Sequence, residues 1–218
     1  MGPNGTGKST LSKVIMGDPN YKVLSGEIYF DDKKLNDLTV DERARLGIFL
    51  GMQMPLEIEG VTNADFMRTA IHIKEQNDFK LMKFIREMNS TCKKLKMDEE
   101  MIHRSINKGF SGGERKKNEI LQMYLLKPSM IMLDEIDSGL DVDSLKIVGE
   151  NVMDYYKENE TGILLITHYQ RLLDYIKPDF VHIMMDGKII KSGDCSLVKE
   201  IEEKGYTKIK SEILGENS

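Results

Sequence analysis

Short apolar runs alternate with segments of helical spacing along this chain, and this order predicts an α/β fold. Residues 130–134 and 163–167 are apolar over the length of a buried strand, and residues 143–157 between them repeat apolar positions at helical intervals. Residues 47–52 form a further strand-like run. Strands separated by helices of this length favour a parallel sheet built from crossover units.

Local signals place the remaining elements. A helix is predicted over residues 8–16, because a turn containing Gly and Pro follows it at 17–20. Thr39 and Glu42 form a capping box that opens a second helix, which ends near Gly47. The other predicted elements are a strand at 26–30, helices from 111 onward, over 170–176 and over 199–204, and a closing hairpin over 180–191.

The composition changes between Pro55 and about Asn107, where Met, Lys and Glu become frequent and apolar residues follow helical spacing. This change indicates an inserted segment of helices. We therefore expect one domain with an α/β core at residues 1–53 and 128–218 and an α-helical subdomain at residues 54–127.

Composition narrows the class of protein. The 218 residues are 40% hydrophobic, which is enough for one sizeable core. The net charge of −5 gives no reason to expect nucleic acid or an anionic membrane as the main partner. Cys92 and Cys195 lie far apart, which argues against a disulfide framework, a zinc site or a self-held metal cluster. Apolar runs stay well short of the ~20 residues of a membrane span. We expect a soluble, cytoplasmic protein.

The N-terminal sequence matches the phosphate-loop pattern G-x-x-x-x-G-K-[ST] at every fixed position. Glycines let backbone N–H groups turn inward around a phosphate, and the N-terminus of the following helix faces the same anion. We expect Lys8 to reach the β- and γ-phosphates of ATP and the Ser9 hydroxyl to hold Mg²⁺. Considered alone, the segment is also compatible with a glycine-rich turn. The predicted cofactor-binding residues are Gly2, Pro3, Asn4, Gly5, Thr6, Gly7, Lys8, Ser9 and Thr10.

Two carboxylates follow the apolar run at 130–134. Asp134 and Glu135 would lie at the carboxyl edge of a parallel sheet, where open α/β sheets bind ligands. We expect Asp134 to coordinate Mg²⁺ and Glu135 to act as the general base that polarises the attacking water. An apolar strand that ends in acidic residues can equally mark a solvated loop.

Ser111, Gly112, Gly113 and Glu114 resemble the signature sequence of ATP-binding-cassette (ABC) ATPases. Ser111 followed by Glu114 is also a plain capping box, and both interpretations can hold together. In the resembled family this helix N-terminus meets the γ-phosphate held by a second protomer. The resemblance therefore implies an ATP-dependent dimer.

Further motifs occur in the order of the same family. Gln53 is similar to the Q-loop glutamine, which the resemblance implies is both catalytic and a metal ligand. Asp141 ends a D-loop-like sequence and is implied to contact the cofactor. His168 resembles the switch histidine, which contacts the γ-phosphate, although a histidine at a strand end is more often structural. The resemblance implies a P-loop NTPase fold with an ABC-ATPase core and names Glu135, His168, Gln53 and Lys8 as the catalytic residues.

Segments between the motifs carry a more specific resemblance. Residues 47–61, 109–123, 167–179 and 191–194 are similar to the SufC family of ABC ATPases, which serve the SUF system of iron–sulfur cluster assembly. This resemblance implies that the partners are a second ATPase protomer and soluble SUF scaffold subunits of the SufB/SufD kind, with no nucleic acid and no direct membrane span. The alternatives are the ATP-binding subunit of an ABC membrane transporter and a non-catalytic interaction fragment.

The start of the chain departs from that family. A phosphate loop needs a strand that leads into it, whereas only Met1 precedes Gly2. We expect Met1 to correspond to an internal methionine of the family, with N-terminal strands and an adenine-stacking aromatic residue missing. Poor solubility or weak ATP binding would follow.

Overall fold

A computed structural model describes residues 1–75, 78–167 and 170–214 of the chain. Its elements are α1 (Lys8–Met16), β1 (Tyr29–Phe30), β2 (Lys33–Lys34), α2 (Val40–Arg45), β3 (Ile48–Gly51), β4 (Ile58–Thr62), α3 (Asn63–Glu75), α4 (Leu81–Lys94), a 3-10 helix (Glu99–His103), β5 (Ser105–Ile106), α5 (Gly112–Leu126), β6 (Met130–Asp134), α6 (Val142–Glu158), β7 (Gly162–Ile166), α7 (Gln170–Leu173), β8 (Val181–Met185), β9 (Lys188–Gly193) and α8 (Ser196–Leu214).

The predicted parallel sheet is confirmed. Its order is β3-β6-β7, and both neighbouring pairs run parallel. Successive side chains of β6 point to opposite faces. Met132 therefore packs in the cluster with Ile48 and Leu35, while Ile131 and Leu133 pack in the large cluster formed with α5 and α6. Because both faces of β6 are covered, the strand reads as a continuous apolar run.

The central region contains strands as well as helices. Helices α3 and α4 confirm the predicted helical spacing, but β4 pairs antiparallel with β5 across more than forty residues. The segment from Pro55 to about Asn107, predicted to be helical, therefore also contains strand residues at 58–62 and 105–106. Four of the five residues of β4 are exposed, so neither face gives the alternating pattern that marks a half-buried strand.

The C-terminal part forms a hairpin covered by a helix. Strands β8 and β9 confirm the predicted hairpin, and α8 packs Leu197, Val198 and Ile201 against β8. Helix α8 extends well beyond the predicted 199–204. It continues past a break at Gly205, whose φ of 71° interrupts the helical geometry.

An apolar cavity of about 410 Å³ separates β7 from the β8–β9 hairpin. The Met1 main chain lies along β8, where the Met1 amino group donates to the His182 carbonyl and the Met184 N–H donates to the Met1 carbonyl. Across residues 1–75, 78–167 and 170–214, helices fall short of the length and apolarity that a membrane crossing requires.

Candidate functional site

The phosphate-loop sequence folds into a turn that curls around the Lys8 side chain. The Lys8 ammonium donates hydrogen bonds to the carbonyl oxygens of Gly2 at 2.8 Å and Pro3 at 2.7 Å, and the Thr6 hydroxyl donates to the Pro3 carbonyl at 2.9 Å. A Cβ atom on Gly2 would lie 2.1 Å from the Met184 carbonyl oxygen, so this position requires glycine. The loop therefore brings main-chain groups and one cation to the N-terminus of α1.

Lys8 is buried between this loop and the carboxyl edge of the sheet. Burial lowers its pKa, while the nearby carboxylates of Glu135 and Asp134 act in the opposite direction. A buried ammonium close to the start of a helix concentrates positive potential in one place. This arrangement suits a polyanionic ligand such as a phosphate chain.

Ser9 and Asp134 meet across the sheet edge. The Ser9 hydroxyl donates a hydrogen bond to Asp134 Oδ1 at 3.0 Å. Burial raises the pKa of Asp134, and the hydrogen bond from Ser9 partly opposes that rise. A hydroxyl and a carboxylate are the oxygen ligands that Mg²⁺ accepts, usually one or two from protein beside those of a bound phosphate. These two residues therefore fit a magnesium ion.

Glu135 and Gln53 form the opposite side of the site. Gln53 Nε2 donates to Glu135 Oε2 at 2.5 Å, although the two residues lie on separate loops after β3 and β6. Glu135 has a left-handed φ of 46°, and its N–H donates to the Ile166 carbonyl at 2.9 Å. This backbone turn directs the carboxylate away from the strand and towards Gln53.

One cavity of about 320 Å³ joins these groups. Its lining contains the predicted residues Asn4, Gly5, Gly7, Lys8, Ser9, Thr10, Gln53 and Glu135. The structure thus assembles the phosphate-loop sequence, Gln53 and the second carboxylate around a single space. Such a site can hold a phosphate chain next to a base.

The signature-like sequence lies elsewhere on the described chain. Ser111 is the N-cap of α5, and its reciprocal hydrogen bonds with Glu114 confirm the capping box. Gly113 packs near Ser144 at the start of α6, where Asp141 is the N-cap and accepts from the Ser144 N–H at 2.7 Å. Within the described residues, these groups do not line the 320 Å³ cavity. His168 lies outside the residues that the structure describes.

Sequence reasoning missed a buried ion pair behind Gln53. Lys116 and Glu119 occupy the inner face of α5, with their charged atoms 3.5 Å apart. Burial raises the pKa of Glu119 to about 7 and lowers the pKa of Lys116. One sequence signal could have revealed this pair. Lys116 and Glu119 are charged residues on the part of the helix that includes Ile120 and Leu121, where apolar residues are expected.

The chain is similar in sequence to known proteins. The family model described as ABC transporter matches residues 1–138. The chain is 54% identical over 215 residues to Vegetative protein 296 of Bacillus subtilis strain 168, covering 98% of this chain and 82% of that protein. It is 53% identical over 215 residues to a probable ABC transporter ATP-binding protein of Streptococcus pyogenes serotype M18, covering 98% and 84%.

The fold also matches solved structures. A dimeric ATP-binding cassette in a post-hydrolysis state, bound to ADP and Pi, superposes with a TM-score of 0.76 at 21% identity. The superposition covers 89% of this chain and 83% of that one. At this level of identity the match establishes the shared fold.

Proposed function

Because this chain belongs to the ABC transporter family, we propose that it is the ATP-binding and ATP-hydrolysing subunit of a soluble assembly that builds iron–sulfur clusters. The observation that carries the ATPase part is the cavity that Lys8, Ser9, Gln53 and Glu135 share. The assembly part rests on the sequence resemblance described above.

Each side chain of the site has a proposed role. The loop from Gly2 to Thr10 binds the phosphates, with Lys8 neutralising charge on the β- and γ-phosphates. Ser9, Asp134 and Gln53 would hold Mg²⁺, which would offset the negative charge that develops on the phosphates in the transition state.

Glu135 accepts the proton of the attacking water. A carboxylate performs this role only if it is held towards the water in the productive geometry. Its left-handed backbone and the hydrogen bond from Gln53 supply that orientation. Mutating either residue should therefore affect turnover more than nucleotide affinity.

We propose that the signature-like residues complete the site of a second protomer. Ser111 and Gly112 are exposed at the N-terminus of the fifteen-residue helix α5. An exposed helix N-terminus attracts the γ-phosphate of a neighbouring chain in an ATP-dependent dimer. We propose that Asp141 and His168 have the roles that the resemblance implies.

We propose that the partner surface lies around Gln53. Met54 and Leu56 are 80% and 68% exposed, and Met52 is also exposed, so apolar side chains face outward directly beside the catalytic glutamine. Adjacent exposed apolar residues are typical of interaction sites. We propose that SUF scaffold subunits of the SufB/SufD kind dock here, on the proposed helical subdomain at 54–127.

Co-purification tests the assembly role. The tagged chain should retain soluble scaffold subunits from cells that express the SUF system, and the double variant Met54→Ser, Leu56→Ser should lose them. Leu24→Ser is a matched control, because Leu24 is an apolar residue that is 89% exposed on the loop between α1 and β1. Failure of the wild-type chain to retain scaffold subunits would contradict the proposal.

The second candidate is the ATP-binding subunit of a membrane transporter. The name of the Streptococcus pyogenes relative favours it. Recovery of a multi-span permease in the same experiment, in place of the scaffold subunits, would select this candidate.

A further inference from the structure

Helix α5 holds the main chain on both sides of the Gln53 Cα through two buried charges. The Lys116 ammonium donates to the carbonyl oxygens of Met52 at 2.5 Å and Gln53 at 2.8 Å. The Glu119 carboxylate accepts from the Met52 N–H at 2.7 Å. Lys116 and Glu119 are 3% and 5% exposed, so solvent contributes little to these contacts.

The hydrogen bonds of Lys116 and Glu119 to the main chain suggest that the pair does more than stabilise the fold. Removing two charges from water carries a desolvation penalty that their mutual attraction often fails to recover, and apolar residues of similar size are frequently as stable or more stable. Here the 3.5 Å separation of the two charged groups is longer than any of the three bonds to the main chain. The pair therefore acts mainly as a set of donors and acceptors for the segment that follows β3.

That segment has no regular secondary structure between Gly51 and Ile58, so the sheet ladder does not fix its geometry. The Gln53 side chain nevertheless meets Glu135 at 2.5 Å. We propose that Lys116 and Glu119 are positioning residues for ATP hydrolysis: they hold the Met52–Gln53 main chain so that the Gln53 amide orients the Glu135 carboxylate. This inference rests on the proposed hydrolytic role of Glu135.

The same helix connects this contact to the dimer surface. Lys116 lies five residues after Ser111, which is about 7.5 Å along a helix axis. A rigid shift of α5 therefore moves Ser111 and the main-chain anchor of Gln53 together. Docking of a second protomer on Ser111 is thereby transmitted to the Gln53–Glu135 contact.

A double-mutant cycle tests whether Lys116 acts through Gln53. Lys116→Met should lower kcat on the order of tenfold or more, because small misplacements of catalytic groups can cost up to about a hundredfold. The KM for ATP should change much less. In a Gln53→Ala background the same Lys116→Met substitution should change kcat by less than about twofold, since the group it positions is gone. Lys117→Met, on the same helix, is the matched control and should leave kcat unchanged.

A second variant separates positioning from folding. Lys116→Met with Glu119→Leu replaces the pair with apolar residues of similar size, so that neither buried charge is left without its partner. This protein should still unfold in one cooperative transition while keeping the low kcat. A folded double variant whose kcat stays within twofold of wild type would overturn the proposal, as would an equal effect of Lys116→Met in both backgrounds of the cycle. If the wild-type dimer itself fails to hydrolyse ATP, the proposed function fails together with this inference, whereas active wild-type protein with fully active variants refutes the inference alone.

Discussion

Ser9 and Asp134 are 125 residues apart in the sequence, yet the Ser9 hydroxyl donates a 3.0 Å hydrogen bond to Asp134 Oδ1. The contact exists because α1 begins beside the carboxyl end of β6, the middle strand of the parallel sheet. It joins the phosphate loop to the acidic strand end through a single pair of oxygen atoms. Such a pair is suited to a divalent cation that is shared with phosphate.

Replacing Asp134 should therefore change the magnesium requirement. Asp134→Asn keeps the shape of the side chain but removes a charge, so the Mg²⁺ concentration for half-maximal ATP hydrolysis should rise on the order of tenfold or more. A magnesium titration at saturating ATP measures this. Asp143→Asn, in the first turn of α6, serves as the control. An unchanged titration for Asp134→Asn would remove this residue from the metal site.

Glu135→Gln should separate binding from chemistry. The amide keeps the hydrogen-bonding shape but cannot accept the proton of the attacking water, so hydrolysis should slow by about a hundredfold or more. The Kd for Mg-ATP should stay within a few-fold of wild type. Equilibrium binding and single-turnover hydrolysis measure the two quantities independently. Loss of nucleotide binding in this variant would contradict the role of a general base.

Mixing two inactive variants tests the shared site. Lys8→Ala removes the cation of a chain's own site, and Ser111→Arg should block the site of its partner. In a two-fold dimer, an equal mixture should recover activity up to about a quarter of wild type, because half of the dimers contain one intact composite site. Lys8→Ala mixed with a chain carrying both substitutions should stay inactive. If the mixture of Lys8→Ala and Ser111→Arg chains stays inactive, this result counts against a contribution of Ser111 to the second protomer's site.

The buried Glu119 predicts a pH-dependent stability. Its pKa rises to about 7 in the folded chain from 4.5, so the folded state binds its proton more tightly than the unfolded state. This contribution to the free energy of unfolding is complete below pH ~4.5 and is lost as the pH rises through about 7. The variant Glu119→Gln has no titrating group at this position, so its stability lacks this pH-dependent contribution.

Urea unfolding of both proteins at pH 5, 6, 7 and 8 measures the effect. The wild-type protein should lose stability relative to Glu119→Gln as the pH increases, by up to a few kcal/mol across the range. A difference between the two proteins that stays constant with pH would contradict the raised pKa.

Local signals predicted those parts of the molecule that local chemistry determines. The capping boxes at Thr39 and Ser111 need only neighbouring residues, and the predicted β6 has the observed bounds because its run of apolar residues is buried on both faces. The phosphate loop is likewise a contiguous motif, so its residues were identified together.

The features that escaped prediction depend on partners far away in the sequence. Strand β4 exists because β5 supplies hydrogen bonds from residues 105–106, and its exposed side chains leave no periodic pattern. The contacts of the Lys116–Glu119 pair form only when α5 is packed against the Met52 main chain, so the sequence alone did not show them. The apolar strand that ends in two carboxylates identified Asp134 and Glu135 as candidates, and the family resemblance identified Gln53. The hydrogen bond from Gln53 to Glu135 became visible only in the folded chain.

The left-handed backbone of Glu135 lowers the stability of the folded chain, whereas its carboxylate is proposed to be required for turnover. A residue other than glycine pays about 1–2 kcal/mol in this region, and glycine or asparagine adopts it more easily. A library of variants selected for thermal resistance alone would therefore accumulate glycine or asparagine at position 135. The carboxylate would be retained only where variants are also selected for ATP hydrolysis. The residue found at position 135 in a selected population would therefore show whether it was selected for stability alone or also for activity.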